Sequence, residues 1–297
     1  MRTLALLALA IPAFAQVSGP TPGFVYDPST RELLPIRGFV GSAYLGSALI
    51  KDADAAAASK DATMAVALRG PAVELTRGFD TEAPAAINLG QVEPGSVFAW
   101  SGHDLAAVSG HSVSIWRNAE KNAEVSEKFD VVGVDGALSG VYFDGDRVLI
   151  AAKGGLYRVS KSGTDRLAEL TDPSALAVAS RDAFVADFAN GQVIRIADYA
   201  GAATAETFAR VDEPVGLQVA RQTLLVASAK SMSIESIDIA THQAVSSLAL
   251  DFQPARMEPL ATASLALLNS ASKTEPLYVL DSRSDLQVLF VPAGREQ

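Results

Sequence analysis

Residues 172–198 read DPSALAVASRDAFVADFANGQVIRIAD, and this stretch decides the fold class of the chain. It contains three short apolar segments, at 175–179, 183–186 and 192–197, with polar turns between them. Short alternating segments punctuated by Asp, Asn, Ser and Gly are typical of strands joined as β-hairpins. The stretch therefore predicts a turn at its start followed by three consecutive strands.

The same order of segments recurs along the chain. A polar residue stands just before each predicted second strand, at successive spacings of 43, 42, 36, 40 and 42 positions: Asp61, Asp104, Asp146, Asp182, Gln222 and Ser264. A fourth, outer strand fits each copy, at about 86–89, 125–131, 166–170, 207–211, 245–250 and 286–291. Four short strands in a unit of about forty residues is the composition of a propeller blade, whereas helix-pair repeats would show a 3.6-residue period.

We therefore predict an all-β chain that folds as a six-bladed β-propeller of four-stranded antiparallel blades, with seven blades as an alternative. The blades run from about residue 50 to 292, and residues 38–61 are expected to be a long loop feeding a strand. Residues 24–39 predict an additional hairpin, which either closes the ring against the C-terminal blade or is the remnant of a seventh blade. A β-sandwich also has short, regularly spaced strands, but it does not repeat a four-strand unit six times.

Two of the copies carry residues of a known repeat. PVGL at 214–217 matches a Pro-x-Gly-apolar opening, while VAD at 185–187 and NGQV at 190–193 match a strand ending in Ala-Asp and an Asn-led third strand. These residues resemble the NHL-type propeller repeat. The other copies lack the Asp and Asn, and SAL at 174–176 lacks the opening Gly. The resemblance implies a six-bladed fold and, as a class, ligand or partner binding more often than catalysis.

The first fifteen residues have the order of features of a cleavable export signal. Arg2 supplies a positive charge, residues 4–11 are apolar, Pro12 ends that run, and Ala13-Phe14-Ala15 is a small-x-small cleavage site. A buried N-terminal strand or helix is the alternative. We predict residues 1–15 as a signal peptide, 16–23 as a flexible leader, and 24–297 as a single propeller domain that is secreted or periplasmic. The chain has no cysteine, so its stability must come from the core rather than from disulfides.

Charge excludes some classes of partner. Loss of residues 1–15 removes one basic residue, Arg2, and changes the formal net charge from −10 to −11. Nucleic-acid affinity depends on neutralising phosphates with Lys and Arg, and anionic lipid also attracts basic surfaces, so neither is an expected partner. No stretch after the signal approaches eighteen uncharged apolar residues, so we expect no membrane insertion. We expect a monomer.

A second periodic feature marks a candidate site. One acidic or amide residue precedes each predicted innermost strand, usually followed by Pro or Gly, at spacings of 41, 42, 37, 41 and 40: Asp52, Glu93, Asp135, Asp172, Glu213 and Gln253. In a propeller this connection lies beside the mouth of the central channel, where five carboxylates would attract a cation or a basic ligand. Acid-Pro pairs are also favourable turn chemistry, and this alternative stays open. We call these six residues the acidic ring.

Other chemistry-bearing residues give weaker indications. His103, His111 and His242 occur without metal-binding or triad spacing, so we expect exposed turn histidines. Residues 187–190 offer two oxygen ligands for calcium, which needs six to eight. The arginine that ends an apolar-bulky-Arg pattern in three copies is expected to snorkel or to pair with a neighbouring blade; it recurs at Arg117, Arg158 and Arg195. Trp100, Trp116, Tyr157 and Phe184 are expected to pack between blades.

No motif predicts a catalytic residue or a cofactor. The sequence therefore favours an exported, non-enzymatic propeller that serves as a scaffold for a protein, peptide or glycan. The alternative is a metal-assisted hydrolase or lyase, with a divalent metal held by the acidic ring at the channel mouth. The two differ in whether carboxylates and a histidine converge on the channel axis. A structural module of a larger assembly is a third possibility.

Overall fold

The computed structural model describes residues 20–39, 41–78, 84–261 and 264–293. Within these ranges the chain forms seven antiparallel sheets, one with three strands and six with four. The predicted signal peptide and the first part of the predicted leader, residues 1–19, lie outside the described residues. No described segment forms a helix with the length and apolar character needed to cross a membrane.

Consecutive strands are neighbours in every sheet, and we number the sheets as blades 1 to 7 in chain order. Blade 1 contains β1 (Gly23–Asp27), β2 (Glu32–Arg37) and β3 (Tyr44–Leu45). Blades 2 to 4 contain β4 (Ala55–Ala58), β5 (Met64–Arg69), β6 (Ala72–Arg77), β7 (Ala85–Gln91), β8 (Val97–Ser101), β9 (Asp104–Val108), β10 (Ser112–Trp116), β11 (Glu127–Asp130), β12 (Leu138–Phe143), β13 (Val148–Ala152), β14 (Gly155–Ser160) and β15 (Gly163–Ala168). Blades 5 to 7 contain β16 (Pro173–Ala179), β17 (Asp182–Asp187), β18 (Gln192–Ala197), β19 (Thr204–Arg210), β20 (Pro214–Ala220), β21 (Thr223–Ser228), β22 (Ser233–Asp238), β23 (Ala244–Ala249), β24 (Glu258–Pro259), β25 (Leu265–Leu267), β26 (Leu277–Asp281) and β27 (Gln287–Val291).

The first strands of neighbouring blades contact one another around a central channel. This confirms the predicted all-β propeller of four-stranded antiparallel blades, and the number of blades is the seven that we gave as the alternative. The six predicted copies are blades 2 to 7, and the predicted hairpin at 24–39 provides two strands of blade 1. The expectation of a long loop over 38–61 was wrong in part, because β3, an isolated bridge at Ile50 and β4 fall within it.

The core lies between the faces of neighbouring blades. Every residue of β13 is buried, because this second strand is covered by a blade on each side. Trp116 packs among residues of blades 2 and 3, and its Nε1 donates a hydrogen bond to the carbonyl of Leu89 at 3.1 Å. Phe184 packs in one apolar cluster with Leu217 and Leu224 of blade 6 and makes an edge contact with Phe208 of its own blade, with ring centroids 5.0 Å apart. The predicted packing role of these two aromatic residues is confirmed.

Contacts between blades 1 and 7 close the ring. Leu34 and Ile36 of β2 share an apolar cluster with Leu277 and Val279 of β26. A polar contact reinforces this seam, because the fully buried carboxylate of Asp27 accepts the backbone N–H of Lys273 at 2.8 Å. The Lys273 ammonium also lies 3.1 Å from the carboxylate of Glu32. These non-covalent contacts close a ring that has no cysteine to hold it.

The innermost strand of blade 1 runs in the opposite direction to the innermost strands of the other blades. We call the face that carries the connections into the innermost strands of blades 2 to 7 the upper face, and the opposite face the lower face. At its upper end β1 contacts the connection between β25 and β26 through Asp27, and the Tyr26 hydroxyl donates to the carbonyl of Ala53, just before β4 begins, at 2.6 Å. At its lower end Gly23 lies against Leu260, just after β24 ends. β1 therefore rises from the lower face to the upper face, whereas the innermost strands of the other blades descend.

The hairpin between β1 and β2 supports this direction. It has a four-residue connection closed by the pair Asp27 and Glu32, just as the second and third strands of blade 5 are closed by Asp187 and Gln192. Both aspartates are fully buried. The strands of blade 1 thus correspond to the second, third and fourth strands of the other blades, and β1 occupies the innermost place among the described residues.

The ring seam gives a prediction on stability. Replacing Asp27 with Ala removes the acceptor of the Ser29 and Lys273 N–H groups, so we expect the free energy of unfolding at pH 7 to fall by about 1–3 kcal/mol. The exposed Asp285→Ala variant is the matched control. Denaturant titration measures both, and equal effects would contradict the role of Asp27 in closure.

The same variant has a predicted pH dependence. Burial raises the pKa of Asp27, but hydrogen bonds from Ser29 and Lys273 outweigh it and hold the pKa below its usual value. A lowered pKa gives stability that is present above the unfolded value of about 4 and is lost as the pH falls through the folded value. The difference between the wild type and Asp27→Ala should therefore shrink in acid.

Candidate functional site

The innermost strands enclose a cavity of about 490 Å³ at the centre of the ring. Residues from all seven blades line it. Six aromatic residues contribute, all from the first strands of blades 1, 3 and 4: Phe24, Tyr26, Phe98, Trp100, Tyr142 and Phe143. The volume is in the range of cavities that hold small ligands, and apolar walls with few polar groups are typical of binding sites.

The polar side chains on the cavity are few: Ser59, Lys60, Gln218 and Glu258. Each innermost strand also turns one edge towards the channel, and alternate residues on such an edge present their backbone N–H and C=O groups to it. The channel can therefore offer hydrogen bonds from the backbone among aromatic and small apolar side chains. This combination suits an uncharged ligand or an extended chain better than an ion.

Two of the tyrosines that line the channel contact residues outside the cavity lining. Burial raises the pKa of Tyr26, whose hydroxyl donates to the carbonyl of Ala53, so this side chain stays a neutral donor. Tyr142 makes an edge contact with Tyr199, with ring centroids 6.3 Å apart, and burial raises the pKa of both hydroxyls. The buried Nε1 of Trp100 has no acceptor among the described residues.

The residues of the acidic ring lie where the sequence placed them along the chain, in the upper-face connections before the innermost strands. Among the described residues that line the cavity, none belongs to the acidic ring. Asp52 and Glu213 have positive φ values of 56° and 46°, and Gly95 and Gly136, which follow Glu93 and Asp135, have values of 81° and 82°. A residue in the left-handed conformation therefore stands at the repeated position or within two residues after it in four blades, as the turn alternative expects. Cation binding by the acidic ring stays a prediction.

Glu93 is the member of the acidic ring with the most contacts. Its carboxylate accepts from the Ser109 hydroxyl at 2.5 Å and lies 2.8 Å from Nδ1 of the exposed His111. The Ser109 hydrogen bond lowers the pKa of Glu93, burial opposes this, and His111 lowers it further. The carboxylate stands between hydroxyl and imidazole, whereas activation of a serine needs the imidazole beside the hydroxyl. These contacts tie two upper-face loops of blade 3 together.

The other histidines and the possible calcium turn lie apart from the channel lining. His103 has a nitrogen 3.4 Å from the Glu120 carboxylate and the other 3.7 Å from Asp61, and the ring of His242 packs on Phe208. The buried carboxylate of Asp187 accepts the N–H groups of Thr171, Asp172 and the Asn190 side chain, so its oxygens serve the turn. Across the described ranges, no group of three or more His, Asp or Glu side chains is arranged to hold a metal ion.

The repeated arginines join neighbouring blades, as predicted. Arg158 pairs with Asp165 in its own blade at 2.8 Å and donates to the carbonyls of Tyr199 and Gly201 in the next blade at 2.9 and 3.0 Å. Arg117 and Arg195 likewise pair within their blades and reach Gly145 and His242 of the following ones. Arg77 donates to the carbonyl of Glu120 in the next blade at 2.9 Å, and we did not predict this fourth contact.

Comparison with known proteins supports the fold but shows no family and no function. The chain matches no protein-family model, and no sequence relative was found among curated proteins. PorZ, an essential bacterial surface component of the type-IX secretion system of Porphyromonas gingivalis, has a similar structure with a TM-score of 0.64 and 14% identity, over 94% of this chain and 38% of PorZ. Sqt1 of Saccharomyces cerevisiae has a TM-score of 0.61 and 9% identity, over 94% of this chain and 87% of Sqt1. The β-propeller domain of Cps50 (Swd1) from Myceliophteria thermophila has a TM-score of 0.61 and 12% identity, over 83% of this chain and 87% of that domain.

The fold is a β-propeller. Identities of 9 to 14% establish no shared activity, and the chain spans 38% of the length of PorZ. The likeness to the NHL-type repeat stays a resemblance over two blades, because no family model matches.

The sequence did not identify the channel-lining aromatic residues. Trp100 was assigned to packing between blades, and it does pack there as well as bordering the cavity. Alternation of apolar and polar residues along a strand distinguishes the two faces of a sheet. The channel lies at the edge of each innermost strand, and no alternation in the sequence marks the residues that border this edge. A cluster of aromatic residues in the predicted first strands was the available signal.

A first prediction concerns Glu93. Glu93→Gln should lower the midpoint of thermal unfolding at pH 7 by about 2–4 °C, because the neutral amide accepts less strongly from Ser109 and His111. Since the carboxylate pKa is lowered in the fold, the difference should begin to shrink as the pH falls below about 4. Calorimetry at pH 7 and pH 3, with the exposed Glu124→Gln as control, measures this. A difference as large at pH 3 as at pH 7 would rule out the charge as its cause.

A second prediction concerns the contacts between blades. Arg158→Ala should lower the free energy of unfolding by about 1–3 kcal/mol, because two carbonyl contacts with blade 5, one half-buried and one exposed, lose a charged donor. Arg181→Ala removes an ion pair whose arginine is 72% exposed, and we expect less than about 1 kcal/mol. Denaturant titration compares the two. Equal losses would show that the contact between blades adds nothing.

Proposed function

We propose that this protein is an exported β-propeller that binds a protein, peptide or glycan at its central channel and does not catalyse a reaction. The observation that carries the proposal is the cavity of about 490 Å³, which draws its lining from all seven blades. A site built by every blade depends on the closed ring, so the fold holds it in one shape. Its lining combines aromatic walls with few charged groups, which favours binding over acid–base chemistry.

Export is the second part of the proposal. It rests on the order of features in residues 1–15 and on the absence of cysteine, which leaves the chain indifferent to an oxidising compartment. PorZ, whose structure is similar, is a bacterial surface component, and this agrees with a location outside the cytoplasm. We propose that the mature protein begins at Gln16 and acts as a secreted or periplasmic monomer.

Native mass spectrometry of protein purified from the exported fraction tests this part. We expect the mass of a single metal-free chain that begins at Gln16. A mass that retains residues 1–15 would contradict the cleavage. A stoichiometric divalent metal that is lost in the triple variant Glu93→Gln, Asp172→Asn, Glu213→Gln would favour the metal-assisted enzyme instead.

Blocking the cavity tests the binding site. Lys60 is exposed at the edge of the cavity, so Lys60→Trp should fill its mouth without disturbing the core. Both proteins are used as bait in the exported fraction, and we expect Lys60→Trp to capture no more than about one tenth of the partner that the wild type captures. The control is Lys121→Trp, the same change at an exposed position outside the cavity lining. Equal capture by both variants would move the binding site away from the channel.

A further inference from the structure

The side chains that line the channel are unevenly distributed around the ring. The aromatic residues come from the first strands of blades 1, 3 and 4, whereas blades 6 and 7 contribute two polar side chains, Gln218 of β20 and Glu258 of β24. In a closed ring of seven blades, blade 3 lies opposite the contact between blades 6 and 7. Phe98 of β8 therefore lies across the channel from Gln218 and Glu258.

The strand register places these residues at the same height in the channel. Gln218 stands two residues before Ala220, the last residue of β20 that pairs across its hairpin. Glu258 likewise stands two residues before Leu260, whose N–H donates across the corresponding hairpin of blade 7. In blade 3 the equivalent position directly follows Phe98. A ligand at this height meets an aromatic side and a polar side at once.

The polar side of the channel is held by contacts within the protein. Gln218 borders the cavity although the residue is only 3% exposed, so packing holds its amide group in place. The Arg256 guanidinium donates to Oε2 of the exposed Glu258 at 2.7 Å. Oε1 of Glu258 accepts from no group in the part of the chain that the structure describes. The carboxylate therefore has one oxygen fixed by the protein and one available to a ligand.

The aromatic side offers an accessible apolar surface. Phe98 and Tyr142 both border the cavity, and both are only half-buried, although each also packs against a neighbouring blade. Tyr142 occupies the same height in blade 4, two residues before the end of the first strand's pairing across its hairpin. The face of an aromatic ring is apolar and carries partial negative charge, so it attracts C–H groups.

We propose that the channel binds an uncharged glycan between these two sides. This inference rests on the proposed function, because it selects one of the ligand classes given there. A hexose ring carries C–H groups on its faces and hydroxyl groups around its edge. The C–H groups would stack on Phe98 and Tyr142. The hydroxyl groups would donate to Glu258 and exchange hydrogen bonds with the Gln218 amide, which both donates and accepts.

The arrangement favours a glycan over a peptide. A hexose carries its apolar and polar groups on one rigid unit, so it can use both sides of the channel at a single height. In a peptide the apolar side chains and the polar backbone groups are spread along the chain. Charged peptide groups also find little to pair with, because Lys60 stands at the edge of the cavity and the Glu258 carboxylate is already bound by Arg256.

The same residues indicate binding without cleavage. Among the described residues that line the cavity, Glu258 is the one that carries a carboxylate. Hydrolysis of a glycosidic bond canonically uses two carboxyl groups, one as the acid and one as the base or nucleophile. We therefore expect the bound glycan to remain intact, in agreement with a non-enzymatic protein.

An oligosaccharide array tests the ligand class. Fluorescently labelled protein is applied to immobilised neutral oligosaccharides, with sialylated and sulfated oligosaccharides as the charged set. We expect binding to at least one neutral oligosaccharide, and mass spectrometry should recover that oligosaccharide intact after incubation with the protein. Binding to none of the neutral set, binding to the charged set alone, or cleavage of the bound oligosaccharide would overturn the proposal.

Two substitutions test the two sides of the channel, with the tightest-binding neutral oligosaccharide as the probe in titration calorimetry. Phe98→Leu removes the ring and Glu258→Gln removes the charged acceptor, and each should weaken binding by about tenfold. The matched controls lie outside the cavity lining: the half-buried Phe129→Leu, and Glu74→Gln, whose carboxylate is also paired with an arginine, Arg69. Binding that is unchanged in both test variants, or equally weakened in the controls, would overturn the placement.

The two proposals fail in different ways. If Lys60→Trp loses a captured partner but the wild type binds no neutral oligosaccharide, the glycan is overturned and binding at the channel stands, with a protein or peptide as the ligand. If Lys60→Trp captures the partner and binds the oligosaccharide as the wild type does, the channel is not the site and the proposed function is overturned as well.

Discussion

The seam between blades 1 and 7 is the contact on which the rest of the structure depends. Each of the other blades is followed directly by its neighbour in the chain, but blade 1 and blade 7 are distant in sequence and meet by non-covalent contacts. These include the packing of Leu34 and Ile36 on Leu277 and Val279, and the hydrogen bond from the Lys273 N–H to the Asp27 carboxylate. The channel cavity exists only when this seam is closed, because it takes its lining from every blade. In a chain without cysteine, the hydrogen bonds of the buried Asp27 stabilise the contact between the two blades, whereas many exported proteins use a disulfide for such a purpose.

The sequence predicted the blades well because their second strands are continuous apolar segments preceded by a polar turn. LALL, LLVA and VLIA are buried on both faces, and a polar residue such as Asp104 or Asp182 stands where the chain turns into a second strand. Blade 1 was harder to assign, since the hairpin at 24–39 lacks a preceding first strand and so breaks the four-strand period. The spacing of Asp27 and Glu32 repeats that of Asp187 and Gln192, and it could have predicted that β1 and β2 correspond to the second and third strands of a blade.

The candidate site was less predictable than the fold. The acidic ring was found because it recurs at one position per blade, and recurrence marks whatever each blade needs, including the left-handed turn conformation of Asp52 and Glu213. A binding site in the channel has the opposite property, because each blade contributes a different residue, such as Phe98, Tyr142 or Gln218. Residues that differ between repeats leave no periodic signal, and their convergence is a property of the closed ring alone.

The distance along the chain between the two sides of the seam has a consequence for biogenesis. Asp27 and Lys273 are 246 residues apart in sequence, so the contact cannot form until the chain has been made as far as blade 7. Contacts between distant residues form late in folding because the intervening loop must first be ordered. Placing the two sides of the seam in the first and the last blade therefore delays closure of the ring until blade 7 has been made. Every other blade can pack on its predecessor before that point.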